Sequence, residues 1–213
     1  MDDQAEVVLT ECGGEPFLFP NDLCLGPEGA LYMTDSGIHF DDWAPGGRIR
    51  EDYMDAEIDG RVYRIDPRIS GIEKIDSGLR FTNGIAFGPD EDLYISETLT
   101  CMVYRYQWEQ EKIIGDRDDF ANVVYRKSQE FPIGPDGMAF GVDGNLYVTV
   151  YGQGGVTVVS PNGTVVDRIR TAGQLPTNVA SWRTEDWELY VTEDEFGQVE
   201  VFDVGTEGLR LHS

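Results

Sequence analysis

The chain has 213 residues, enough for one domain with a sizeable core. Its formal net charge of −24 would repel nucleic-acid phosphates and anionic headgroups, which argues against both as partners. Aromatic content is ordinary and no run of 18 apolar residues occurs, so neither a disordered chain nor a membrane-spanning helix is indicated.

From the N-terminus, Met1 to Glu6 is acidic and lacks the basic start and apolar core of a signal peptide, which points to the cytoplasm. Cys12, Cys24 and Cys101 are widely spaced and odd in number; they read as small buried apolar residues in a reducing compartment. Of the sixteen basic residues only three are Lys. Two readings of this acidic, Lys-poor balance stay open: a solvated surface that maintains solubility, or a host with high internal salt. Glu6 to Thr10 reads as the outer strand of a sheet whose earlier strands are absent.

A repeat then dominates the chain. Four segments align: Phe19 to Ser36, Phe81 to Thr98, Gly134 to Tyr151 and Leu175 to Asp194. Each opens on a short polar residue, Asn21, Asn83, Asp136 or Asn178, followed by an apolar stretch and a Gly- or acid-containing turn. A second strand then opens at Tyr32, Tyr94, Tyr147 or Tyr190. The offset from polar residue to Tyr is 11, 11, 11 and 12. Further alternating segments follow each repeat: Gly60 to Ile65, Met102 to Tyr106, Gly155 to Val159 and Val199 to Phe202, with a fourth short strand such as Val165 to Ile169. No amphipathic helix stands out. Four-stranded repeats of about 40–60 residues predict an all-β chain of β-propeller blades. Four blades and a fragment are counted, within one domain spanning residues 1–213.

In a propeller the first strand of each blade lines the central channel, so residues in one register converge on the axis. Asn21, Asn83, Asp136 and Asn178 all offer oxygen, which suits Ca²⁺ or another hard divalent ion. No His or Cys stands in that register, which disfavours zinc. The competing reading is local: Asn83-Gly84 and Asp136-Gly137 are also ordinary turn dipeptides. No GxSxG elbow is present, and His39 and His212 are the only histidines. His39 reads as a loop residue or a contact at the channel mouth.

The segments PNDLCLGPEGALYMTDSG, TNGIAFGPDEDLYISET and GPDGMAFGVDGNLYVTVYGQGGV resemble the gluconolactonase and regucalcin (senescence marker protein) family, the last of them most like its bacterial lactonase branch. The resemblance runs from Phe19 to about Asp203. It implies a six-bladed propeller, with about four blades in this chain and N-terminal ones missing. It also implies a metal-dependent hydrolase of sugar lactones or related cyclic esters. Its metal would be Ca²⁺ first, with Zn²⁺, Mn²⁺ or Mg²⁺ as further candidates. By resemblance Asn83 and Asp136 are metal ligands, Asp136 also moves the proton, Asn21 lies beside the substrate, and Asn178 is a weaker fourth ligand. Two family features are missing: no Glu-Gly-Pro-like segment precedes Phe19, and Phe19 stands where some members carry Arg. A non-catalytic binding or interaction propeller and a paraoxonase-like esterase are therefore retained as alternatives, as is self-association through open blade edges.

Overall fold

The computed structural model describes residues 6–66, 68, 71–126, 131–181 and 187–212. Four antiparallel sheets follow one another along the chain, each a meander. The first runs Pro20–Leu25, Leu31–Asp35, Gly60–Asp66 and Gly71–Leu79. The second runs Thr82–Phe87, Leu93–Glu97, Met102–Tyr106 and Asp118–Asn122. The third runs Gly134–Phe140, Leu146–Tyr151, Val156–Val159 and Val165–Ile169. The fourth has three strands among the described residues, Pro176–Ser181, Glu188–Glu193 and Gln198–Asp203. The opening strand of each sheet, called inner below, packs against the inner strand of the next.

Glu6 to Thr10 departs from expectation. These residues form no strand, and Val7 and Val8 stand in solvent. Leu9 packs against Met33, Tyr63 and Ile65 of the first sheet without pairing with a strand, and Phe17 N–H closes a small hairpin, Glu11–Cys12 with Glu15–Pro16, onto the Thr10 carbonyl. The described α-helix is one turn, Phe40–Trp43, in the long connection between Asp35 and Gly60. No helix among the described residues is long and apolar enough to cross a membrane.

Three devices, each repeated, join the sheets. The first is a glycine. Asn83-Gly84 and Asp136-Gly137 are not turns but lie inside inner strands. A Cβ on Gly84 would come within 2.4 Å of the Asp136 carbonyl oxygen, and one on Gly137 within 2.1 Å of Asn178 Oδ1. Only glycine lets neighbouring strands approach at main-chain distance there. The second device is a buried hydroxyl. Thr34 donates to the Asn83 carbonyl (2.6 Å), Ser96 to that of Asp136 (2.8 Å) and Thr149 to that of Thr177 (2.9 Å), each reaching from one sheet to the next. The third explains the repeated tyrosine. Tyr32 packs edge-on against Phe87 of the following inner strand, and Tyr94 against Phe140, both with centroids 4.9 Å apart.

A buried carboxylate steadies the entry to three of the four inner strands. Asp35 accepts from the N–H groups of Leu18, Phe19 and Gly37. Glu97 accepts from Arg80 N–H, and Glu193 from Leu175, Glu195 and Phe196. The third sheet has Val150 in that register. The fourth sheet buries one face against the third, while Tyr190, Val199 and Val201 on its other face are exposed.

Because Gly84 faces backbone rather than a movable side chain, Gly84→Ala should lower stability by about 1–3 kcal/mol through overpacking. Urea unfolding monitored by tryptophan fluorescence measures this, and an unchanged midpoint would contradict the close approach.

Candidate functional site

Each inner strand carries a β-bulge at its start. Asn21 and Asp22 together oppose Thr34; Asn83 and Gly84 oppose Ser96; Asp136 and Gly137 oppose Thr149; Thr177 and Asn178 oppose Thr192. A bulge frees a residue from the ladder and re-aims its side chain. The polar register seen in the sequence is therefore the bulge register, and Asn21, Asn83 and Asp136 are its first residues.

Asn178 does not share that position. It is the second residue of its bulge, equivalent to Asp22, Gly84 and Gly137. Thr177 is the true counterpart of Asn83 and Asp136, and its carbonyl accepts from the Thr149 hydroxyl just as theirs accept from Thr34 and Ser96 respectively. Side-chain bonds agree: Asp22 Oδ1 accepts from Leu23 N–H and Asn178 Oδ1 from Val179 N–H, each capping the next residue. The slip has a simple origin. In the first three sheets the strand pairs Cys24–Tyr32, Ala86–Tyr94 and Ala139–Tyr147 span eight positions, whereas Ala180–Tyr190 spans ten. The bulge residue of this sheet therefore lies 13 positions before its Tyr instead of 11, and the polar residue at an offset of 12, Asn178, is one residue late; one residue in a strand reverses the side chain.

Asn83 and Asp136 are neighbours on adjacent strands. Asn83 is buried; its amide donates to Thr98 Oγ1 at 3.2 Å, and it also stands beside the Asp136 carboxyl. Asn21 makes the matching bond to Ser36 Oγ at 2.9 Å but is exposed. A residue not singled out in the sequence joins them. Asp22, next to Asn21, is partly buried with Oδ2 accepting from Ile85 N–H at 3.3 Å, and its charge reaches Asp136. Its signal was its place in Pro20-Asn21-Asp22, obscured because a bulge makes two consecutive residues count. Burial pushes the Asp136 carboxyl up to about 8, and Asp22 adds to the rise; the Asn83 amide and Gly137 N–H oppose it. Burial likewise raises Asp22.

The inner strands enclose a cavity of about 420 Å³ with Asp22 and Asn178 on its wall, and apolar side chains including Ile85, Phe87, Met138 and Phe140. Leu209 to His212 close part of it, with His212 against Phe87 at 5.8 Å. His39 is exposed at the start of the short helix. On the mouth side, Phe19, Phe40, Trp43 and Phe81 form an aromatic wall, with Phe81 held at φ 71°, a conformation costly for a bulky residue. Glu15, the Glu nearest upstream, lies on the far edge of the first sheet, paired with Lys74 at 2.7 Å, and takes no part in the site.

The described residues contain no cluster of three or more His, Cys, Asp or Glu that could hold a metal. The donors that do converge are two carboxylates, Asp22 and Asp136, and the Asn83 amide. Two mutually repelling carboxylates and an amide oxygen are hard donors with no sulfur among them, which fits a hard divalent cation and not a thiophilic one. In the absence of metal the raised Asp136 carboxyl binds more protons folded than unfolded, so it costs nothing below the ordinary Asp range and progressively more as pH rises toward 8. Chelator-treated Asp136→Asn should therefore melt several degrees above the parent at pH 8, and the gap should close toward pH 4; thermal scans across that range check it.

The chain matches the SMP-30/gluconolactonase/LRE-like region family over residues 2–194. It is 31% identical over 170 residues to a gluconolactonase of Zymomonas mobilis, covering 75% of this chain and 44% of that one. It is 29% identical over 165 residues to the pentonolactonase XacC of Haloferax volcanii, covering 75% and 55%, and 26% identical over 173 residues to the lactonase drp35 of Staphylococcus haemolyticus, covering 81% and 47%. The chain thus spans about half the length of these relatives. Among solved structures, a gluconolactonase from Xanthomonas campestris superposes with a TM-score of 0.74 at 25% identity, covering 98% of this chain and 63% of that one. A calcium-binding regucalcin from Agrobacterium tumefaciens superposes with a TM-score of 0.70 at 18% identity, covering 91% and 63%. The family match extends over most of the chain and the superpositions agree with it: the chain belongs to the SMP-30/gluconolactonase family of β-propeller proteins.

Proposed function

We propose that the bulge site hydrolyses a lactone, a sugar lactone in the first instance, with a divalent cation bound between Asn83 and Asp136. The observation that carries this reading is the convergence of Asn83, Asp136 and Asp22 from three neighbouring inner strands, with Asp22 also on the wall of the partly apolar cavity. Names of relatives point the same way: lactonase, pentonolactonase and gluconolactonase.

Hydrolysis adds a water oxygen to the lactone carbonyl carbon, breaks the ring C–O bond, and moves one proton from that water to the ring oxygen. Asp136 is suited to take the proton and return it, since its carboxyl sits at the site with an amide beside it to fix its orientation. Asn83 would hold the cation through its side-chain oxygen while its nitrogen stays on Thr98. Asn21, exposed and tied to Ser36, would orient substrate hydroxyls. The aromatic wall at Phe19 and Phe40 would cover one face of the ring and limit water. When bound, Ca²⁺ would polarise the carbonyl as a Lewis acid.

The test is glucono-δ-lactone hydrolysis followed in a pH-stat with Ca²⁺ and with chelator. Asp136→Ala should lower kcat by about 10²–10⁴-fold, the range for loss of a positioned acid–base. Asn21→Ala should act mainly on KM. Turnover that survives both Asp136→Ala and chelation would sink the proposal. Calcium binding without turnover would favour the ligand-binding alternative.

A further inference from the structure

A second cavity, of about 430 Å³, lies on the rim of the third sheet and, among the described residues, is lined by Arg126, Arg168 and Arg170 but by no carboxylate. The chain carries 40 acidic and 16 basic residues, so three guanidinium groups around one hollow reverse the local sign of charge. None of the three is ion-paired with a described carboxylate.

Their surroundings fix some of the donors and leave others over. Arg168 donates from Nη1 to the Val123 carbonyl (2.9 Å) and to Thr157 Oγ1 (2.7 Å), and lies over the Tyr125 ring at 5.1 Å. That holds the guanidinium plane while its remaining nitrogens have no partner among the described residues. Arg126 donates to Gln174 Oε1 at 3.3 Å, and Arg170 makes no side-chain bond to a described residue. Gln153, only 6% exposed, uses Oε1 to accept from the N–H groups of Tyr125 (3.1 Å) and Arg126 (3.4 Å). Its amide nitrogen is the end left to donate. The lining therefore offers donors from three cations and a buried amide, with an exposed aromatic ring beside them.

We propose that this cavity binds a small oxyanion, a carboxylate or a phosphate, gripped by the Arg168 and Arg170 guanidinium groups. Planar guanidinium forks match such groups with two parallel bonds. The rest of the protein repels anions, so the short-range charge-assisted bonds must supply the affinity. The site is separate from the bulge site and does not depend on the lactonase reading.

Calorimetric titration of the whole chain with inorganic phosphate, and separately with gluconate, tests the proposal. Saturable binding of at least one is expected, and which one binds identifies the anion class. Arg170→Gln removes an exposed side chain that makes no bond to a described residue, so it should leave the melting temperature unchanged and weaken binding about tenfold. Arg168→Gln should weaken it further. Asp136→Ala should leave it intact, which separates this cavity from the bulge site. No saturable binding of either probe, or binding that Arg170→Gln and Arg168→Gln leave unchanged, would overturn the proposal.

Discussion

Neighbouring inner strands meet at main-chain distance, and the rest of the molecule follows from that contact. Gly84 and Gly137 remove the side chains that would hold the strands apart, and the hydroxyls of Thr34, Ser96 and Thr149 then bridge each sheet to a carbonyl of the next. The carbonyls they reach belong to bulge residues. A bulge leaves backbone groups without ladder partners, and a buried carbonyl left unbonded would cost about 1–3 kcal/mol. The same hydroxyls that join the sheets therefore satisfy the bulges, and the bulges free the Asn83 and Asp136 side chains from the ladder. Packing and the candidate site share one set of atoms.

This sharing has an electrostatic consequence. Close packing sinks Asp136 among the inner strands and leaves Asp22 facing it, so the fold brings two carboxylates together in a poorly solvated place. Such an arrangement is unfavourable for folding alone and favourable for holding a cation. Elsewhere buried carboxylates are neutralised locally: Asp35, Glu97 and Glu193 each accept bonds from the loop that leads into an inner strand. The contrast separates structural from candidate functional acids within one chain. Structural acids take backbone N–H partners from the adjoining loop, while the candidate pair accepts from inner-strand N–H groups and the Asn83 amide and keeps a like charge opposite.

The fourth sheet carries the same residues in a different setting. Tyr190 stands in the register of Tyr32 and Tyr94 but is 36% exposed, whereas those two are buried against Phe87 and Phe140. Thr192, in the register of Thr34, Ser96 and Thr149, accepts from Asn178 N–H and shares a hydrogen bond with the Thr177 hydroxyl. Local sequence places these residues, and what packs on their sheet sets how deeply each is buried.

Sequence by itself determined the repeat, the order of strands and three of the four bulge residues, because hairpin periodicity, turn glycines and the Leu-Tyr opening are local features with fixed offsets. Asn83-Gly84 and Asp136-Gly137 remained ambiguous at that level, since the same dipeptides serve turns and strand bulges equally well. Only tertiary structure decided between them, through the neighbour that sits where a Cβ would be. It also moved the fourth register from Asn178 to Thr177, because the spacing of the last hairpin differs and register is set by cross-strand pairing, not by counting. It added Asp22, whose setting depends on a strand 63 residues away, and it brought Arg126 to Arg168 and Arg170, more than 40 residues later in the chain. Local pattern specifies which residues a strand contains; which of them meet is set by the packing of strands far apart in the chain.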